Sequence, residues 1–346
     1  MSTNAKRFFA ALAFLFWMTA VSAQQTEKVV PAPGKIYLDV VVTPKSGPPV
    51  SGLQQQDFTL IDNKTPRPLS SFQALGGNDA PIEIILLIDA VNIGYNQMSY
   101  ARDEIDKFLS ANGGHLAYPT ALAIFTETGT QIQEGFSTDG KALSASLEQY
   151  VIGLRSVGRS AGFYGADERF GLSLKTMHQL AVREAARPGR KFILWVSPGW
   201  PVLSGPGVLV SSTQQQQLFA DIVELSHLFE QGRITLYSID PLGTADFGGR
   251  ALYWQAFTKG VSKPSQVQIG NLALEVLATQ SGGLALNTNN DVASLLQRCM
   301  TDGSAYYELS FDPPIGDQPH EYHRLEVKVD KPGMTARTRQ GYYSQP

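Results

Sequence analysis

Apolar residues follow one rhythm in the middle of this chain and another at its two ends. From Pro81 to about residue 303, short apolar runs alternate with segments of helical period. The most continuous run, Ile82–Asp89, is apolar on almost every position and ends on a carboxylate. That is the pattern of a central strand covered by helices on both sides. Runs at 120–125, 191–197, 234–240 and 284–286 repeat it, with a shorter strand near 131–136. Helices are predicted over 95–109, after Asp139, and over 169–186, 218–229, 272–279 and 292–300. This alternation predicts an α/β fold on a doubly wound, mostly parallel sheet with right-handed crossovers.

The flanking segments carry strands instead. They are predicted at 37–42, 58–61 and 70–74 ahead of the middle, and at 305–311, 322–329 and 335–339 continuing through 342–343 behind it. Leu325, Val327 and Val329 alternate there with Glu326, Lys328 and Asp330. Each set alone is too thin to be stable and leaves an unpaired edge. The two sets are therefore expected to join into one β-sandwich beside the α/β part.

The N-terminus reads as a targeting segment. Lys6 and Arg7 precede an apolar stretch, Phe8 to Val21, and the small residues Val21-Ser22-Ala23 suit cleavage. The apolar stretch is shorter than the ~20 residues a bilayer span needs. The expected division is a signal peptide at 1–23, a linker at 24–34, sandwich strands at 35–78, the α/β domain at 79–303 and the remaining strands at 304–346. An extracytoplasmic protein, periplasmic or secreted, with no membrane span after cleavage, follows from that division.

Composition narrows the classes further. Hydrophobic residues make up 43% of the 346 residues and charged residues 17%, enough for a substantial core. Loss of residues 1–23 removes Lys6 and Arg7 and no acidic residue, which takes the formal net charge from −3 to −5. An acidic balance argues against nucleic acid as a partner. The single cysteine, Cys299, has no partner for an intramolecular disulfide and falls on a predicted helix, where packing is its expected role.

The carboxyl edge of the predicted sheet is where open α/β folds bind ligands, and Asp89 ends its central strand there. The strand ending Leu87-Ile88-Asp89, with helix and doubly wound sheet to follow, resembles the von Willebrand factor A domain. The likeness is closer to bacterial exported VWFA-related proteins and covers almost the whole mature chain. It is carried by Leu38-Asp39-Val40-Val41-Val42, Val50-Ser51-Gly52-Leu53, Asp57-Phe58, Tyr237-Ser238-Ile239-Asp240-Pro241-Leu242-Gly243 and Ser281-Gly282-Gly283. It continues at Tyr306-Tyr307-Glu308-Leu309, His323-Arg324-Leu325-Glu326-Val327 and Arg339-Gln340-Gly341-Tyr342-Tyr343.

In such domains the resemblance implies Mg²⁺ held by Asp-x-Ser-x-Ser, a Thr and a later Asp. A hard cation wants near-octahedral oxygen ligands. Here Asp89 remains, but Val91 and Ile93 stand at the serine positions. The region expected to hold the Thr has none, though Ser160 lies close, and Ser197-Pro198-Gly199 replaces the later carboxylate. The expectation is no cofactor. Asp89, Asn92, Ser197 and Asp240 are remnants of a degenerate site. Residual Mg²⁺ binding, with Asn92 turning its amide oxygen inward, is one reading, and a hydrogen-bonded cluster capping strand ends is the favoured other.

Two loops leaving strand ends are rich in apolar and aromatic residues. One carries Trp200 and Leu203; the other carries Phe247, Tyr253, Trp254 and Phe257. They are candidates to hold a protein or peptide partner, or else fold back to roof the rim. No nucleophile elbow, His-Glu-x-x-His, P-loop or Gly-x-Gly-x-x-Gly occurs. His320 and His323 would point to opposite faces if both lay on a strand; on a loop they could meet at one ion. The expected function is a non-enzymatic protein-binding or adhesion module. The alternatives are an extracytoplasmic hydrolase using Asp89 and Asp240, or a structural subunit of an envelope assembly.

Overall fold

The computed structural model describes residues 34–77, 80–153, 162–201, 210–243, 253–314 and 318–345. The expected signal peptide, nearly all of the expected linker, Ser160, Leu203 and Phe247 lie outside the described residues. No described helix is long and apolar enough to cross a membrane.

The first half of the chain opens with β1 (Ile36–Pro44), β2 (Phe58–Asp62), β3 (Thr65–Arg67) and β4 (Ser71–Leu75). The α/β part then runs β5 (Ile82–Asp89), α1 (Tyr95–Ser110), β6 (His115–Thr126), β7 (Gly129–Ile132), β8 (Ser137–Asp139) and α2 (Gly140–Gly153). It continues through α3 (Gly162–Ala185), β9 (Arg190–Val196), α4 (Ser212–Gln231), β10 (Ile234–Ile239), α5 (Leu274–Gln280), β11 (Ala285–Leu286) and α6 (Val292–Thr301). The closing strands are β12 (Tyr306–Phe311), β13 (Tyr322–Val329), β14 (Met334–Arg337) and β15 (Gly341–Tyr343).

The larger sheet has the order β11-β10-β9-β5-β6-β7, with β8 also paired to β6. β11, β10, β9, β5 and β6 are parallel, and β7 and β8 run antiparallel to β6. Starting at β5 the chain winds outward to one side, then returns to β9 on the other, so the order switches between these two strands. That is the doubly wound topology, with its ligand crevice outside the carboxyl ends of the strands at the switch.

Alternation along the central strands feeds two cores. Ile84, Leu86 and Ile88 face α1, α2 and α6, whose Ile105, Leu143 and Leu296 share one cluster. Ile85 and Leu87 face α3, α4 and α5, whose Met177, Leu225 and Leu274 share the other. In α1 the buried Met98, Ala101, Ile105, Phe108 and Leu109 fall at helical spacing on one face. Cys299 packs fully buried within α6, and burial pushes its thiol well up.

Two antiparallel sheets take the remaining strands: β14-β1-β12-β4 and β15-β13-β2-β3. They interleave the two ends of the chain, since β1 pairs with β12 and β14, and β2 pairs with β13. Leu38, Val40 and Leu309 of one sheet and Leu60, Leu325 and Val327 of the other share one apolar core.

Several elements differ from the periodicity reading. The stretch expected as one strand from 335 through 343 is two, β14 paired with β1 and β15 with β13, and the strand expected near 131–136 is β7, Gly129–Ile132. The strand expected at 120–125 runs from His115 to Thr126. The helix expected at 169 begins at Gly162. The helix expected at 218 begins at Ser212, because Ser211 and Gln214 form a reciprocal cap: the Gln214 amide donates to the Ser211 hydroxyl at 3.3 Å and the Ser211 amide to Gln214 Oε1 at 2.9 Å. A polar first turn gives no apolar period to read.

Candidate functional site

The switch between β5 and β9 sets Asp89 and Ser197 side by side at the carboxyl edge. Asp89 is fully buried. The chain turns immediately after it, and the backbone N–H groups of Val91 and Asn92 donate to its Oδ1 at 3.0 and 2.8 Å. Its Oδ2 accepts from Asn92 Nδ2 at 2.8 Å, Ser197 Oγ at 2.8 Å and Trp195 Nε1 at 3.1 Å. Two carboxylate oxygens offer about four lone-pair sites. Five donors use them all.

The net extends outward from there. Asn92 Nδ2 also donates to Ser173 Oγ at 2.9 Å, and that hydroxyl donates to the Arg169 carbonyl at 2.7 Å, one turn back in α3. The Gly199 amide donates to Ser197 Oγ at 3.2 Å. Burial pushes the Asp89 carboxyl above its ordinary range, and the donors from Asn92, Ser197 and Trp195 pull against that shift.

This donor set does not fit a cation. N–H groups cannot ligate a metal, and they hold most of the Asp89 lone pairs. Val91 is buried in the core under α3 and α4, and Ile93 in the core under α1 and α6. Neither position faces the carboxylate with an oxygen. Asn92 turns its amide nitrogen, not its oxygen, toward Asp89. Asp240 directly follows β10 and accepts from the Leu242 amide at 2.8 Å.

Trp200 is not a contact residue. At 2% exposure its ring stands against Trp195, with centroids 5.4 Å apart, and against Phe170 at 6.4 Å. Both pairs are edge-on, the arrangement that ring quadrupoles favour. It thus packs between α3, which carries Phe170, and Trp195, whose indole donates to Asp89. Tyr253, Trp254 and Phe257 are half-buried on a short 3₁₀ turn. Phe257 is seated against Gly270, where even a Cβ would meet its ring at 2.6 Å. This turn is the part of the predicted aromatic rim that remains accessible among the described residues.

Trp195 and Ser173 escaped the sequence reading. Trp195 looks like one more apolar strand residue, and Ser173 like a solvated helix position. The signal available was weak: an indole in a strand register that ends beside a buried acid must find a partner for its N–H.

No protein-family model matches the chain, and no curated protein matches it in sequence. Solved structures similar to it include the human COPII-coat protein Sec24c, 8% identical with a TM-score of 0.37, covering 79% of this chain and 46% of that one. The pilus adhesin SpaC from Lactobacillus rhamnosus GG is 8% identical at a TM-score of 0.36, covering 84% and 49%. The SpRpn10 VWA domain is 12% identical at 0.30, covering 63% and 94%. This chain spans just under half the length of the first two. The strand order, not these likenesses, carries the fold.

Proposed function

We propose that the chain is an exported, non-enzymatic protein-binding module with a von Willebrand A-like α/β domain and a β-sandwich, and that it binds its partner without a metal ion. The observation that supports this reading is the closed Asp89 corner. In a doubly wound sheet this is the place where a ligand or cofactor is held, and here its carboxylate is spent on internal donors beside packed aromatic rings. A general base must be within reach of a substrate proton, and Asp89 is fully buried. The hydrolase reading therefore loses its leading residue.

Of the aromatic residues expected on the rim, those of the Tyr253–Phe257 turn stay accessible among the described residues; the turn runs beside α5, with the Thr258 carbonyl accepting from Gln280 at the end of that helix. Half-buried aromatic rings on a seated turn offer large contact area at low entropic cost. Binding to a protein or extended peptide is the activity such a surface suits. Localisation outside the cytoplasm rests on the residue pattern of the first 23 positions.

The test is capture of envelope proteins on immobilised protein, with EDTA or with Mg²⁺, for the wild type and Trp254→Ala. Capture that is equal in both buffers and lost in the variant supports the reading. Capture that requires Mg²⁺, or that survives the substitution unchanged, contradicts it.

A further inference from the structure

We propose that the outer face of the β15-β13-β2-β3 sheet carries a second binding site, a groove at the β2–β3 turn that takes a single carboxylate on an extended, partly aliphatic peptide. The groove measures about 510 Å³ and is lined by Ile61, Asn63, Lys64, Arg324 and Glu326. Strand register builds it. Glu326 lies opposite Ile61 across the β13–β2 ladder, and Arg324 stands two residues before Glu326, on the same face. The alternate positions Leu60, Leu325 and Val327 fill the sandwich core behind them.

The walls of the groove are fixed before any ligand arrives. β2 and β3 are joined by two residues, Asn63 and Lys64, at positive φ of 46° and 70°. A two-residue turn of this kind favours Asn followed by Gly. Lysine at the second place carries a backbone cost that glycine would not. A costly backbone kept at one position points to a use for the side chain it carries. The turn is also tied to β13: the Asn63 amide donates to the Arg324 carbonyl, and the Arg324 amide to Asn63 Oδ1, each at 2.9 Å.

Charge decides the occupant. Lys64 and Arg324 form no ion pair among the described residues. Glu326 has Lys328 at 3.8 Å, a loose and exposed pair that leaves the acid's charge in the groove. Two cations therefore face an open groove in a chain whose formal net charge is −3. An arginine fork holds a carboxylate through two parallel N–H bonds, and the Lys64 ammonium adds a further donor. Glu326 repels a dianion or a polyanion, which selects one carboxylate over phosphate. Ile61, half-buried on the floor, suits an aliphatic neighbour of that carboxylate.

The site lies apart from the Tyr253–Phe257 turn, and its test needs no captured partner. The isotope-labelled mature chain is titrated by NMR with acetyl-Leu-Asp-amide, with the neutral acetyl-Leu-Asn-amide and with inorganic phosphate. Saturable shifts should appear with the acidic peptide at the amides of 61–64 and 324–326, and not with the neutral one. Phosphate should bind several-fold more weakly than the acidic peptide, and Glu326→Gln should narrow that gap. Arg324→Gln should weaken peptide binding about tenfold or more. Lys45→Gln, on the exposed bend after β1, should leave it unchanged. Lys64→Gly separates binding from folding: it should unfold no lower than wild type and still bind the peptide several-fold more weakly. A wild type without saturable shifts, equal shifts from the neutral peptide or from phosphate, or undiminished binding in Arg324→Gln or Lys64→Gly would each overturn the proposal.

Discussion

At the scale of the residue, the account turns on where lone pairs go. Asp89 accepts five hydrogen bonds in a buried corner. Asp89→Asn keeps the shape and replaces one oxygen by a donor, which then faces two or three buried donors. A buried unmatched group costs about 1–3 kcal/mol, more where a charge was involved. We expect a loss on the order of 3 kcal/mol in urea unfolding, against at most about 0.5 kcal/mol for an Asp→Asn change on an open surface. A neutral result would mean that the observed net is not formed in solution. Much of this corner is legible in the sequence. An apolar strand that ends on Asp locates the acid, and Val91 and Ile93 announce the loss of ligand hydroxyls. The direction of a side chain is what escapes. Nothing in the residues around 92 says whether its amide presents nitrogen or oxygen, because that choice is made by Asp89 and Ser173 together. Trp200 takes the folded-back one of the two readings its loop allowed, a choice that a Gly- and Pro-rich sequence does not itself make.

At the scale of the element, strand β9 starts with two buried charges, Arg190 and Lys191, before its apolar run. Lys191 Nζ donates to the Arg187 and Gly232 carbonyls, so one ammonium serves the chain just past α3 and just past α4. Cations suit helix C-termini. Burial nevertheless lowers its pKa to about 8, against the pull of Glu184 and Glu83. The unfolded chain holds this proton more tightly than the folded one, so the group's penalty is fully present below pH 8. It is relieved as pH rises from about 8 toward the ordinary lysine value near 10.4. Wild type should therefore gain stability relative to Lys191→Met between pH 8 and 9.5, measured by denaturant midpoints at each pH. Parallel pH profiles for the two proteins would contradict this. The elements themselves were mostly readable, since strand and helix periods differ clearly in the middle of the chain. The exceptions have physical reasons. The first turn of α4 is all polar, and β6 extends back to His115 through exposed alternate positions that pair with nothing apolar.

At the scale of the whole molecule, the α/β part and the antiparallel sheets are joined by buried ions. Arg233, between α4 and β10, meets Asp39 of β1 and reaches Glu308 of β12 at 2.6 Å. Arg190 lies 3.6 Å from Asp39 and stacks over Phe192 and Tyr306, 4.6 and 4.4 Å from their ring centres. Arg339 adds an ion pair with Glu230 of α4 at 2.9 Å. Burial alone would push the Asp39 carboxyl up, but Arg233 and Arg190 together outweigh it and hold it below its ordinary value. A depressed carboxyl contributes stability above its unfolded value, near 3.8, that is lost as pH falls through the folded one. Arg233→Met removes the cation closest to both acids, leaving Asp39 with Arg190, and should cost about 3–5 kcal/mol at neutral pH, with a flatter loss below pH 4 than wild type. Wild type should unfold in one transition, by calorimetry and by tryptophan fluorescence alike; two transitions would show that the joint does not couple the halves. The interleaving of chain ends was legible from unpaired edges at both termini. The ion joint was not, because Asp39, Arg233 and Glu308 are far apart in sequence and each reads as an ordinary surface charge.

The central claim is that the corner at the end of β5 is closed by internal donors and works without a metal. Calorimetric titration of the purified mature chain with Mg²⁺ and Mn²⁺, beside Asp89→Ala, tests it most directly. The account predicts no saturable heat from the wild type. Saturable binding by the wild type that disappears in Asp89→Ala would contradict it and return the search for a partner to carboxylate-bearing ligands.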